Sequence, residues 1–174
     1  MSWMQTYGGT PFYPLDPNPD MIDITDIAHA LSMTCRYNGH CLRFYSVAEH
    51  CVHLSHTVDL ENAKWALLHD ALEAYIGDMV RPLKYEMPEF RAIEDNLELV
   101  IAGKFNLGWP MPEQVKEHDT RIVVDEREQN MALSSLPWSL LDGYRSLGVT
   151  LQCWSPEQAE AEYLSRYQQL FHNT

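Results

Sequence analysis

The chain has 174 residues, 45% hydrophobic and 21% charged, enough for one domain with a sizeable core and ordinary for a globular protein. Its net charge of −13, with no Lys/Arg cluster, makes it a poor non-specific nucleic-acid binder, because phosphate neutralisation drives that binding. No run approaches 18 apolar residues and the start Met1-Ser2-Trp3-Met4 carries no basic segment ahead of an apolar one, so neither a membrane span nor a secretion signal is expected.

Residues 1–23 hold Pro11, Pro14, Pro17 and Pro19 together with Trp3, Tyr7, Phe12 and Tyr13. The prolines forbid a regular helix and the aromatics argue against disorder, so an ordered arm over the body is expected, with a short hairpin. From residue 24, Ile24, Ile27, Ala28 and Leu31 share one helical face. Ser46-Val47-Ala48-Glu49 has the form of a capping box and starts a second helix to about Thr57. A third, about 61–76, stops at Gly77. The fourth begins near Pro88 and uses Ala92, Ile93, Leu97, Val100 and Ile101; the fifth starts near Pro112 and runs to about Leu133. Residues 134–154 read as a loop pinned by Trp138, Tyr144 and Trp154. Ser155-Pro156-Glu157-Gln158 starts the last helix, with proline in the first turn and glutamine completing the cap. The expectation is an all-α bundle of about six helices in a single domain over 1–174: an arm (1–23), a core (24–133), and a loop with a C-terminal helix (134–174).

Cys35, Cys41, Cys51 and Cys153 contain no C-x-x-C pair and, without a secretion signal, read as reduced thiols in a cytoplasm. Six of the eight histidines lie between residues 29 and 69. His50 and His53 are one turn apart on the second helix, and His69-Asp70 sits in the otherwise apolar third. Adjacent helical side chains point about 100° apart, so two polar neighbours need a shared reason to turn inward, and a metal ion is one. Glu73 follows His69 by one turn, Gly77-Asp78 ends the helix, and Asp119 lies beside Val115, Ile122 and Val123 on the fifth. Taken singly, each reads better as a satisfied core histidine or a helix-packing aspartate. Together, His50, His69, Asp70 and Asp119 give two imidazoles and two carboxylates that three helices could bring to one ion, with room for a water. Such mixed ligands suit zinc, cobalt, manganese, iron or magnesium.

The runs Ser46-Val47-Ala48-Glu49-His50, His69-Asp70-Ala71-Leu72-Glu73, Gly77-Asp78, Pro82-Leu83-Lys84-Tyr85 and His118-Asp119 resemble those of HD-domain metal-dependent phosphohydrolases, over residues 24–132. The order His…His-Asp…Asp on successive helices is that family's metal set, so the resemblance implies His50, His69, Asp70 and Asp119 as ligands of a divalent ion. Within the family the chain is similar to the small 5′-deoxynucleotidase branch, where an Arg-Trp pair precedes the first metal histidine; here the pair is Arg36-Tyr37. The stretch from Ile27-Ala28-His29 to Phe44-Tyr45-Ser46 also resembles small bacterial and phage HD hydrolases, among them phage enzymes that strip phosphates from dATP. The resemblance implies a small nucleotide substrate, no nucleic-acid or membrane partner, and a homo-oligomer, either a dimer or a hexamer.

Roles follow from chemistry and resemblance together. Glu73 and Asp78 are candidates for water orientation or proton transfer. Arg36 can fork onto a phosphate, against the plainer reading of a charge at a helix end, and Lys84 can add a second cation, against that of a solvated lysine; Arg81 is weaker. Tyr37 and Pro82 can flank the base, although stacking alone tolerates several bases. His29, His40, His53, His56 and His118 are not expected as ligands; His53 is the reserve, and His118 could support Asp119. The N-terminal arm and the extra cations favour conversion of dATP to deoxyadenosine. The alternatives are a 5′-deoxynucleotidase acting on dNMPs and a nucleotide-binding regulator without turnover, which the filled set of positions disfavours.

Overall fold

The computed structural model describes residues 2–172. The arm forms the expected hairpin: β1 (Met4–Gln5) pairs antiparallel with β2 (Pro11–Phe12), Met4 opposite Phe12. The turn closes through Thr6 N–H to Thr10 O and Gly9 N–H to Thr6 O, with Gly9 in the left-handed region. Phe12 is fully buried and stacks on Tyr75 with ring centroids 4.3 Å apart, which clamps the arm to the body.

Eight α-helices follow among the described residues: α1 (Ile24–Met33), α2 (Val47–Thr57), α3 (Ala63–Leu68), α4 (Glu73–Ile76), α5 (Arg81–Lys84), α6 (Pro88–Lys104), α7 (Glu113–Asn130) and α8 (Pro156–Phe171). Helix α2 is central, packing against α1, α3, α7 and α8. The main core joins Ile27, Leu31, Ala48, Cys51, Leu67, Leu68, Leu97, Ile101 and Tyr163; a second cluster sets Leu54, Trp65 and Ala66 against Ala102, Val115 and Ile122. The all-α bundle is as expected, and the helix starts at Ser46, Pro88, Pro112 and Ser155 lie within one residue of their predicted places.

Three features depart from the sequence expectation. The third helix is not continuous: α3 and α4 are separated by residues 69–72, where backbone bonds tighten to Ala71 N–H with Leu68 O and Glu73 N–H with Asp70 O. This frees the Leu67 carbonyl, which accepts from the Tyr163 hydroxyl of α8 at 2.8 Å. Secondly, only half of the capping box forms. Ser46 Oγ accepts from Glu49 N–H, but the Glu49 carboxylate turns away and accepts from the backbone N–H groups of Gln152, Cys153 and Trp154 at 2.7–2.9 Å. Thirdly, the 134–154 loop is anchored by buried carboxylates as well as by two of its three expected aromatics, Trp138 on Tyr37 and Trp154 on His53. Asp125 accepts from Leu147, Gly148 and Val149 N–H groups at 2.7–3.1 Å, while Tyr144 is exposed. Short helix α5, in the stretch after Gly77, was not anticipated.

Candidate active site

Three separate segments deliver the four site residues. His50 projects from the first turn of α2, Asp119 from the middle of α7, and His69-Asp70 from the tightened turn between α3 and α4. Four atoms converge. His50 Nε2 lies 3.2 Å from His69 Nε2, 3.2 Å from Asp119 Oδ1 and 3.8 Å from Asp70 Oδ2. His69 Nε2 lies 3.1 Å from Asp70 Oδ2 and 3.8 Å from Asp119 Oδ1. Both imidazoles have their other nitrogen engaged outside the cluster, His50 Nδ1 with Glu126 Oε1 at 2.7 Å and His69 Nδ1 with Ala66 O at 2.8 Å. A ring whose Nδ1–H is donated outward presents a bare Nε2 inward, the form that ligates a metal. Two nitrogens and two carboxylate oxygens so disposed fit a divalent cation. Cys51 Sγ sits 3.9 Å from His69 Nδ1, on the ring edge opposite the cluster.

The electrostatics are those of a closely coupled charge cluster. Burial would lower the His69 imidazole, but Asp70, Cys51 and Asp119 outweigh it and hold it well above the usual histidine range. Burial would raise Asp119 and Asp70, yet the two imidazoles hold Asp119 well below the usual carboxylate range, and His69 with His50 lowers Asp70. Glu73, half-buried at the start of α4, goes the other way: burial pushes it up, and Asp70 and Asp78 push in the same direction. Asp78 is also raised by burial, with Lys84 opposing and Asp70 adding. Asp78 follows Gly77, whose φ of +71° turns the chain out of α4.

The predicted substrate residues divide. Arg36 joins the cluster: its guanidinium lies 3.6 Å from Asp70 Oδ2 and 3.2 Å from Glu126 Oε2. Tyr37 donates its hydroxyl to Glu126 Oε2 and tilts its ring against Trp138, centroids 5.9 Å apart. Pro82 is exposed on α5. Lys84 is occupied by Glu94 at 2.7 Å and Asp78 at 3.6 Å. Arg81 instead reaches Asp119 Oδ2, at 3.4 Å. His53 turns to Glu49, His29 to Glu160, and His118 to the Thr57 hydroxyl.

Sequence reasoning missed Glu126 and Trp138. Glu126 is fully buried and accepts from His50, Arg36 and Tyr37; burial would raise its carboxyl, but Arg36 and His50 hold it down at about 2. It stands seven residues after Asp119, two turns along the same helix face, which is the signal that could have found it. Trp138 lies in the loop after α7, where no periodicity points to a partner.

Residues 28–170 match the family described as 5′-deoxynucleotidase YfbR-like. The uncharacterized protein YfdR of Escherichia coli (strain K12) is 40% identical over 143 residues, covering 82% of this chain and 80% of that protein. An uncharacterized protein of Rhodobacter capsulatus is 29% identical over 192 aligned positions, covering 99% and 97% of the two chains. A candidate divalent-metal donor set from α2, the α3–α4 turn and α7, within a match that spans most of the chain, leads to one assignment: the chain belongs to the 5′-deoxynucleotidase YfbR-like family of HD-type nucleotide phosphohydrolases.

Proposed function

We propose that the chain is a metal-dependent 5′-deoxynucleotidase that converts 2′-deoxynucleoside 5′-monophosphates to deoxynucleoside and phosphate. The observation that carries this is a cluster in which His50 Nε2 and His69 Nε2 lie 3.2 Å apart and each lies 3.1–3.8 Å from Asp70 Oδ2 and Asp119 Oδ1, flanked by Arg36 and Arg81. A divalent ion held there would lower the pKa of its bound water and neutralise phosphate charge. Arg36 and Arg81 each lean on a cluster carboxylate and are placed to turn onto phosphate oxygens. Glu73, whose carboxyl is pushed up by burial and by Asp70 and Asp78, is the candidate to pass a proton to the leaving 5′-oxygen, and Asp78 the candidate to orient water. Tyr37 and Pro82 flank the base. Lys84, the cation that favoured a triphosphate, is committed to Glu94 and Asp78, which moves the weight from dATP to the monophosphate.

The test is a panel of dNMPs, dNTPs and their ribose counterparts with manganese, cobalt, zinc or magnesium, resolving nucleoside, phosphate and polyphosphate products. Release of phosphate from dNMPs is expected, with Asp70→Ala inactive but folded. Release of phosphates from dATP with dNMPs left intact would overturn the monophosphate reading, and full activity in Asp70→Ala would overturn the metal cluster as the catalytic centre.

A further inference from the structure

The turn that carries Arg36 and Tyr37 is bracketed by Cys35 and Cys41. Its backbone is unusual: Tyr37, Asn38 and Gly39 take φ values of +56°, +51° and +77°, a left-handed run that only the glycine adopts freely. Both ends are tied down. Cys35 pairs with Ser46 in an antiparallel bridge, Arg36 N–H donates to Tyr45 O at 2.9 Å, and Leu42 N–H donates to Asn130 O at 2.8 Å. These ties leave Cys35 Sγ and Cys41 Sγ 3.4 Å apart, both half-buried and reachable from solvent. Bringing them to the roughly 2.05 Å of a disulfide asks each sulfur to move by only about 0.7 Å. Burial, and then the contact with Cys35, pushes the Cys41 thiol up to about 11; either sulfur can be the donor of the contact, and Cys41 Sγ also faces Arg36 O at 3.9 Å. The other cysteines are placed elsewhere: Cys51 is fully buried beside His69, and Cys153 lies in the loop before α8.

We propose that Cys35 and Cys41 form a reversible disulfide that clasps the Arg36–Tyr37 turn in its binding conformation, an inference that rests on the substrate role proposed for those two residues. The oxidant is a hydroperoxide. Cys35 thiolate attacks its O–O bond, forming S–O and releasing one water; Cys41 then attacks the sulfenic sulfur, forming S–S and releasing the second water. Two thiols lose two electrons and one hydrogen peroxide becomes two waters. Only five residues lie inside the closed loop, so the bond adds less chain-entropy stabilisation than one closing a longer loop.

The test uses the purified full-length chain, stripped of metal, treated with hydrogen peroxide, cleared with catalase, alkylated and digested with trypsin. Arg36 is the first lysine or arginine of the sequence and Arg43 the next, so the bond would join peptide 1–36 to peptide 37–43. The expected result is that linked pair, abolished by dithiothreitol and absent from Cys35→Ser. Its absence from the oxidised wild type, or linkage through Cys51 or Cys153, would overturn the clasp. After manganese is restored, the oxidised protein should show a dNMP KM lowered about threefold with kcat unchanged, because the turn is pre-ordered. Cys35→Ser should keep the reduced constants with or without peroxide. An unchanged or raised KM would overturn the organising role. If no dNMP is hydrolysed even when reduced, the nucleotidase reading fails. Trypsin cleavage after Arg36 in the folded protein then decides the clasp: slowing of about tenfold on oxidation supports it, and an unchanged rate overturns it.

Discussion

Nδ1 of His50 lies 2.7 Å from Oε1 of Glu126, and neither side chain has any solvent exposure. The other oxygen of the same carboxylate takes Arg36 and the Tyr37 hydroxyl. One buried charge thus sets the tautomer of a candidate metal ligand and holds the turn proposed to bind substrate. Glu126→Gln preserves the shape and removes the charge. It should weaken metal binding by about 10- to 100-fold, the usual effect of losing such a partner, and should raise the dNMP KM as Arg36 and Tyr37 loosen. Calorimetric titration of the metal-free variant with manganese measures the first effect, with circular dichroism to check folding. Wild-type affinity in a folded variant would mean that the contact is packing and does not tune the ligand.

Glu49 is the counterpart on the other side of α2. Burial raises its carboxyl, but hydrogen bonds from His53, Trp154, Cys153 and Gln152 outweigh this and lower it below the ordinary 4.5. The folded value lies below the unfolded one, so the stabilisation is complete above the ordinary carboxylate range and is lost as pH falls through the folded value. Glu49→Gln should cost about 2 kcal/mol at pH 7, the scale of charge-assisted bonds to backbone N–H groups. The gap between variant and wild type should narrow as pH drops below 4.5. Urea unfolding of both proteins across that range checks it; a gap that does not change with pH would show that the charge is not what holds the 152–154 backbone.

These two glutamates also mark the limit of sequence legibility. His50, His69, Asp70 and Asp119 were readable as an ordered set that resembles a known family, not singly, and Ser46, Pro88, Pro112 and Ser155 because caps act locally. Glu126 stood in α7, a helix so rich in acids that one more reads as a solvated face. Glu49 carried the local signature of a capping box, and the structure overrode it because three backbone donors from the distant 152–154 segment outbid one local N–H. The 69–72 break was invisible for the same reason: the residue that satisfies its freed carbonyl lies 96 positions away.

That residue, Tyr163, gives a direct test of the break. Its hydroxyl is the partner of Leu67 O at 2.8 Å, and both groups are buried. Tyr163→Phe leaves the ring in the core and strands a buried carbonyl next to the His69-Asp70 turn. The expected cost is about 1–3 kcal/mol of unfolding free energy, the penalty for an unsatisfied buried group. Chemical denaturation of the metal-free protein measures it without interference from metal binding. A change within about 0.5 kcal/mol would show that the tightened turn supports itself without α8.

Trp138 tests the remaining side of the site. Its ring lies between the tilted Tyr37 ring and the Arg127 guanidinium, which sits 5.4 Å from its centroid. Tyr37 has a left-handed backbone that costs about 1–2 kcal/mol, and two contacts offset that cost: the hydroxyl on Glu126 and the ring on Trp138. Removing Trp138 takes one away while leaving His50, His69, Asp70 and Asp119 untouched. Trp138→Ala should therefore raise the dNMP KM by about tenfold, a loss near 1.4 kcal/mol, with kcat within about twofold of wild type. Trp138→Phe, which keeps an aromatic face, should recover most of the loss. A fall in kcat at constant KM would place Trp138 in the chemical step and detach it from the positioning of Tyr37.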